Sequence, residues 1–136
     1  MLQKLNSRRG GFTLVEIMIV VAIIALLATI AVPNFLRARL RSQATACKQD
    51  LRMLDAALEQ YAIENNKQGS SKVTFNDLKP YIKENSPLYY SGGNDTLGNK
   101  ITLSDITTGV KVPTATANAV ADVIDTTFFS PYLPAN

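Results

Sequence analysis

The segment that decides the fold is residues 8–35, which read RRGGFTLVEIMIVVAIIALLATIAVPNF. From Phe12 to Val32 the only charged residue is Glu16. As a helix this run would extend roughly 30 Å, which is enough to cross the hydrocarbon core of a bilayer. The sequence therefore predicts a membrane-spanning helix with one carboxylate close to its start, directly behind a pair of arginines and a pair of glycines.

An ordinary secretory signal peptide is the first alternative for this segment. The apolar region of such a peptide is usually shorter, carries no charge and is followed by a cleavage site of small residues. Thr-Ile-Ala at residues 29–31 is a weak match to such a site. The length of the run and its internal acid do not fit, so a secreted soluble domain behind an ordinary signal peptide stays an alternative only.

Cleavage before the apolar run fits the segment better. Gly10 to Glu16, GGFTLVE, resembles the prepilin cleavage motif of type IV pilins and type II secretion pseudopilins. The resemblance implies that prepilin peptidase cuts after Gly11 and that the new amino group of Phe12 is methylated. It also implies that Glu16 serves filament assembly and that Pro33 kinks the helix. Glycine suits a cleavage position because it has no side chain to obstruct a peptidase.

Composition excludes several kinds of active site. The sequence contains no histidine and one cysteine, Cys47, so it cannot form a Ser-His-Asp or Cys-His catalytic system or the usual zinc sites. Three of its 14 basic residues, and none of its 11 acidic residues, precede Gly11. The part after this glycine is formally neutral, which argues against a nucleic-acid partner. We therefore expect neither an enzyme nor a nucleic-acid-binding protein.

An apolar stripe with helical spacing continues the first helix beyond Pro33. Its members are Leu36, Leu40, Ala44, Cys47, Leu51, Leu54, Leu58 and Tyr61. Asn65, Asn66 and Gly69 predict the end of this helix. The pattern predicts a single helix of about 50 residues. Its first half would pack in lipid or against other copies, and its second half would pack on a head domain.

The remaining sequence predicts a small α+β head. Capping-box spacing at residues 74–77 predicts a short helix over residues 75–82, disturbed by a proline. Apolar-polar alternation predicts two strands, over residues 101–103 and 110–112. Helical spacing predicts a last short helix over residues 117–124. So small a head has a marginal core by itself, and we expect the long helix to complete it.

Residues 95–101, DTLGNKI, resemble a stretch of the major pseudopilin of type II secretion, a family that often binds calcium. Asp95 is therefore the candidate metal ligand. The later acids, Asp105, Asp122 and Asp125, are scattered and lack the dense spacing of calcium ligands. We expect a turn fixed by glycine and Asx side chains, and no cofactor that the head requires, with calcium as the alternative.

These patterns, together with the resemblance, divide the chain into four parts. The resemblance implies that residues 1–11 are a leader peptide, that the transmembrane helix (12–34) also serves assembly, and that the head (69–136), reached through the amphipathic continuation (35–68), is periplasmic. The resemblance implies a structural subunit of a type II secretion pseudopilus or a type IV pilus-like filament. It would span the bacterial inner membrane once, with a periplasmic or extracellular head. Its implied partners are further copies of the chain, prepilin peptidase, an inner-membrane assembly platform and lipid. A minor pilin that binds a ligand or DNA is the alternative.

Overall fold

The computed structural model describes residues 10–134 of the 136-residue chain. Most of the predicted leader, residues 1–9, lies outside the described residues. The chain divides into two units, with the boundary between Leu36 and Arg37. The elements are α1 (Leu14–Glu64), α2 (Phe75–Leu78), α3 (Pro87–Ser91), β1 (Thr102–Leu103), β2 (Val110–Lys111) and α4 (Thr114–Val120), with 3₁₀ turns over Lys79–Tyr81 and Thr126–Phe129. The predicted α+β fold with a long N-terminal helix is confirmed.

Helix α1 contains no glycine and a single proline, Pro33. The residues on both sides of Pro33 are helical, so no melted turn interrupts the helix there. The kink itself stays a prediction. The helix ends at Glu64, next to the predicted stop, and Asn66 then takes a left-handed conformation with φ of 48°. Left-handed residues of this kind commonly terminate helices, and asparagine adopts the conformation more readily than most residues.

In the second unit, α1 supplies one side of the head core. Its buried apolar side chains recur mostly at three- and four-residue intervals: Ala44, Cys47, Leu51, Leu54, Ala57 and Leu58. They belong to one cluster with residues from the rest of the head: Val73, Leu78, Ile82, Leu88, Ile101, Val110, Val112, Ala117, Val120, Phe129 and Tyr132. Within the predicted stripe, Leu36 is exposed, Leu40 is partly buried against this cluster, and full burial begins at Ala44. As expected, the head shares its core with the helix.

The two strands of the head form a short antiparallel pair. Thr102 lies opposite Lys111, and Leu103 lies opposite Val110. Their position agrees with the prediction, although each strand is only two residues long. Gly109 precedes the second strand with φ of 70°, a left-handed conformation that glycine adopts without steric cost.

The short helices of the head follow local capping signals. The backbone N–H and the hydroxyl of Thr74 donate to the Asp77 carboxylate, over 2.9 and 2.6 Å, at the start of α2. Helix α2 ends at Leu78, short of the predicted residue 82, and a 3₁₀ turn over Lys79–Tyr81 follows at the proline that was expected to disturb the helix. The last helix ends at Val120 instead of reaching Ile124.

Candidate functional site

The predicted cleavage site lies in a segment without regular structure just before α1. Gly10, Gly11 and Phe12 are all exposed. A Cβ atom added to either glycine would meet no atom of residues 10–134 within 4 Å, and Gly11 does not have a left-handed φ. The packing of the chain therefore gives no reason for glycine at these positions. A requirement for glycine here would come from something outside the chain, such as an enzyme that binds this segment.

Glu16, the acid in the apolar run, caps the start of α1. Its Oε2 atom accepts hydrogen bonds from the backbone N–H and the hydroxyl of Thr13, both over 2.8 Å. In return, the Glu16 N–H donates to the Thr13 hydroxyl oxygen over 3.3 Å. This is a capping box, in which Thr and Glu three residues apart satisfy amide groups that the first helical turn leaves unpaired. The sequence interpretation missed it, although the Thr-x-x-Glu spacing was visible.

The part of α1 that follows this cap has an uncovered apolar surface. Each large apolar side chain from Phe12 to Leu36 is at least half exposed. Among the residues that the structure describes, α1 is the one helix long and apolar enough to cross a membrane. An apolar surface of this size marks contact with lipid or with other protein. The helix therefore fits anchoring in a membrane and packing against neighbouring helices.

Asp95, the predicted candidate for a metal ligand, is 5% exposed and organises the loop that follows it. Its Oδ1 atom accepts from the N–H groups of Leu97 and Asn99, each over 2.9 Å. Its Oδ2 atom accepts from the Thr116 hydroxyl and, over 3.8 Å, from the Cys47 thiol. The carboxylate thus joins its own loop to α4 and α1, and the expected Asx turn is present.

A second buried carboxylate, Asp50, stands near this network and is 8% exposed. Burial, and then the negative charge of Asp95, raise the pKa of Asp50 to about 6. Burial, followed by the charges of Asp95 and Asp50, raises the pKa of the Cys47 thiol to about 12, so the thiol keeps its proton and serves as a donor. The sequence contains no local signal for this cluster, because Asp95 and Thr116 are far along the chain from Cys47 and Asp50.

Two of the three acids beyond Asp95, Asp105 and Asp125, each stabilise a local turn of the chain. The Thr108 N–H donates to Asp105 over 2.6 Å, and this bond lowers the pKa of Asp105. The Thr127 N–H donates to Asp125 over 2.7 Å with the same effect on the pKa of Asp125. Within residues 10–134, no three His, Cys, Asp or Glu residues are arranged to hold a metal ion.

Thermal unfolding of the head should not respond to calcium. The Asp95 oxygens already accept protein hydrogen bonds, and a ligand stabilises a fold only if it binds the native state preferentially. Thermal melting curves of the full chain in detergent, followed by circular dichroism, should be the same in calcium, in magnesium and in chelator. A melting temperature that rises with calcium alone would reveal a site in the head.

Comparison with known proteins identifies relatives of the chain. Residues 6–32 match the family model described as the prokaryotic N-terminal methylation motif. The type IV major pilin protein PilA of Myxococcus xanthus is 44% identical over 64 residues, 47% of this chain and 29% of PilA. The type II secretion system core protein G of Aeromonas hydrophila is 31% identical over 90 residues, 65% of this chain and 63% of that protein.

A third relative is the type IV wide pilus major component PilA4 of Thermus thermophilus, 41% identical over 68 residues, 50% of this chain and 52% of PilA4. The chain therefore spans less than two thirds of the length of these relatives. No solved structure matches the chain significantly. The matched family model includes the Gly11-Phe12 junction, the Thr13–Glu16 cap and most of the uncovered apolar helix.

Proposed function

We propose that this chain, a relative of type IV pilins and of core proteins G of type II secretion systems, is a structural subunit of a pilus-like filament. The observation that carries the proposal is the uncovered apolar part of α1, which directly follows an exposed Gly-Phe junction in the matched methylation motif. Such a helix needs either lipid or other helices around it. A subunit that is first held in a membrane and then added to a filament has lipid around this helix before assembly and other helices around it afterwards.

In this proposal the chain is first processed at its N-terminus. Prepilin peptidase cuts after Gly11, and methylation of the Phe12 amine follows. In the described part of the chain no atom packs against the Cβ positions of Gly10 and Gly11, which supports recognition of these glycines by an external enzyme. Residues 12–34 then hold the subunit in the bacterial inner membrane as a single span, with the head outside the cytoplasm. The helix leaves the lipid when the assembly platform adds the subunit to the filament, with Pro33 allowing the helix to bend.

The match to core protein G of Aeromonas hydrophila favours a type II secretion pseudopilus over a true pilus. The match to core protein G extends over 90 residues, which is longer than α1 and so includes part of the head. The match to PilA extends over 64 residues, little more than the length of the leader and helix together. In either filament the subunit would be structural, without catalysis and without a nucleic-acid partner, and a formally neutral mature chain supports this.

The mature chain should begin at Phe12 and carry one additional methyl group. Intact-mass measurement and N-terminal sequencing of protein purified from membranes test this. Replacement of Gly11 by valine should block cleavage, because the added side chain would obstruct the peptidase. Gly10→Ala is the matched control, since this position also has open space in the structure. A product that begins at Val32 would establish an ordinary signal peptide and contradict the filament proposal.

A further inference from the structure

Two exposed arginines directly follow the uncovered apolar part of α1. That part ends with Phe35 and Leu36, and Arg37 and Arg39 come next on the same helix. From Leu14 to Leu36 the helix has 23 residues, which is about 35 Å along its axis. The hydrocarbon core of a bilayer is about 30 Å thick. A helix that crosses it with Leu14 near one surface therefore places both arginines among the lipid headgroups of the other surface.

The two arginines lie on different sides of the helix. Successive residues of an α-helix are turned by about 100°, so Arg37 and Arg39 are separated by about 160° around the axis. A protein docked against one side of the helix would meet one of them. Lipid headgroups surround a membrane-spanning helix on every side. A single layer of headgroups can therefore contact both arginines at once.

The charge along this part of the chain is entirely positive. Residues 17–49 contain no Asp or Glu, and their basic residues are Arg37, Arg39, Arg41 and Lys48. Lys48 donates to a backbone carbonyl of the head, and Arg41 lines the same groove as the Asp125 carboxylate. We therefore assign the unmet need for an anion to Arg37 and Arg39. The same segment of a neighbouring copy contains no acid that could satisfy it.

We propose that Arg37 and Arg39 bind the phosphate groups of anionic phospholipids in the membrane leaflet on the side of the head. This inference rests on the proposed function, in which a bilayer holds α1 before assembly. The planar guanidinium group donates in a fork that matches phosphate oxygens. Phosphatidylcholine also carries a phosphate, but its choline cation offsets the charge, so lipids with a net negative charge should gather around the helix. This contact would hold the unassembled subunit and break when the subunit enters a filament.

Fluorescence quenching of the full chain in lipid nanodiscs tests this preference. The chain contains no tryptophan, so Phe35→Trp introduces a single reporter two residues before Arg37. The discs contain equal amounts of phosphatidylglycerol and phosphatidylcholine, and the acyl chains of one lipid at a time are brominated. At low salt, brominated phosphatidylglycerol should quench the reporter more strongly than brominated phosphatidylcholine. Adding Arg37→Gln and Arg39→Gln should remove this preference, by about fivefold for each arginine.

Arg52→Gln in the same reporter protein is the matched control. Arg52 is an exposed arginine on the same helix, 15 positions and about 22 Å beyond Arg37, so its loss should leave the preference unchanged. Salt at about 1 M shortens the screening length to about 3 Å and should abolish the preference.

Three outcomes would contradict the inference. Equal quenching by the two brominated lipids in the reporter protein, or a preference that survives the loss of both arginines, would overturn it alone. Equal quenching combined with loss of filaments from the Arg37→Gln/Arg39→Gln protein would assign the arginines to a protein contact instead. Absence of quenching by either lipid would show that the apolar part of α1 does not enter a bilayer, which would contradict the proposed function as well.

Discussion

Filaments should largely disappear when Glu16 is replaced by alanine, while membrane insertion and cleavage continue. Loss of the charge favours insertion, because a charged side chain costs about 2.5–3.5 kcal/mol at the centre of a bilayer and less near its surface. Assembly should suffer because the amine that cleavage creates on Phe12 would lose its acidic partner. At 4 Å and an effective dielectric constant near 20, that attraction is roughly 4 kcal/mol before desolvation is subtracted. Fractionation measures membrane insertion, immunoblotting measures cleavage, and electron microscopy of sheared filaments measures assembly.

Glu16 also forms the capping box with Thr13, so the experiment must separate this role from the effect of its charge. Glutamine at this position can still accept the Thr13 hydrogen bonds but carries no charge. We expect Glu16→Gln to assemble as poorly as the alanine variant. Thr13→Ala keeps the charge and weakens the cap by about 1 kcal/mol, so it should assemble nearly normally. Normal filaments from Glu16→Gln would show that the acid acts by capping alone.

The second large effect should come from Asp50→Asn, which we expect to stabilise the head at neutral pH. The pKa of Asp50 is about 6 in the folded head against an ordinary value of 3.8. The folded state therefore binds the proton more tightly, and stability is lost as the pH rises from about 4 through 6. Asparagine does not ionise, so the Asp50→Asn protein should not lose this stability. We expect its free energy of unfolding above pH 7 to be higher by about 1–2 kcal/mol, a value reduced for the partial solvent access of Asp50. Below pH 4 the two proteins should have similar stability.

Urea unfolding of the full chain in a nonionic detergent, followed by circular dichroism between pH 4 and 8, measures this difference. Glu59→Gln is the control, because Glu59 is an exposed acid on the same helix and should give little change. An advantage of the Asp50→Asn protein that is equal at every pH would show that asparagine merely packs better. An advantage that grows between pH 4 and 7 is what the burial of Asp50, together with the negative charge of Asp95, predicts.

The elements that were predicted well from the sequence are those with local or periodic signals. The apolar stripe predicted α1 as far as its last turn, since helical periodicity repeats over many turns, and the stop that begins at Asn65 predicted its end next to Glu64. The Thr74–Asp77 spacing located α2 by the same physical rule that the Thr13–Glu16 pair follows. Helix α3 was missed although Ser86 caps it and Pro87 occupies its first turn. Those signals were present, but a helix of five residues has no periodicity to support them.

The buried network around Asp95 was beyond sequence reasoning for a different reason. Its carboxylate meets Thr116 and Cys47, which are 21 and 48 positions away along the chain. Nothing in the local pattern of residues 95–101 distinguishes a carboxylate that binds neighbouring elements from one that binds calcium. The burial of Asp50 was equally hidden, because an acid on a helix is by default a solvent-facing residue.

The core that α1 shares with the rest of the head has a consequence for how the chain folds. The Lys48 ammonium donates to the Phe128 carbonyl and the Tyr132 hydroxyl donates to Asp55, contacts that join residues 80 and 77 positions apart. Contacts of such high sequence separation form late and slow the rate of folding. Because the chain is synthesised from its N-terminus, the face of α1 that carries Leu51 would stay uncovered until residues near 132 have been synthesised. During that interval the nascent head exposes an aggregation-prone apolar surface that a chaperone or the membrane itself must shield.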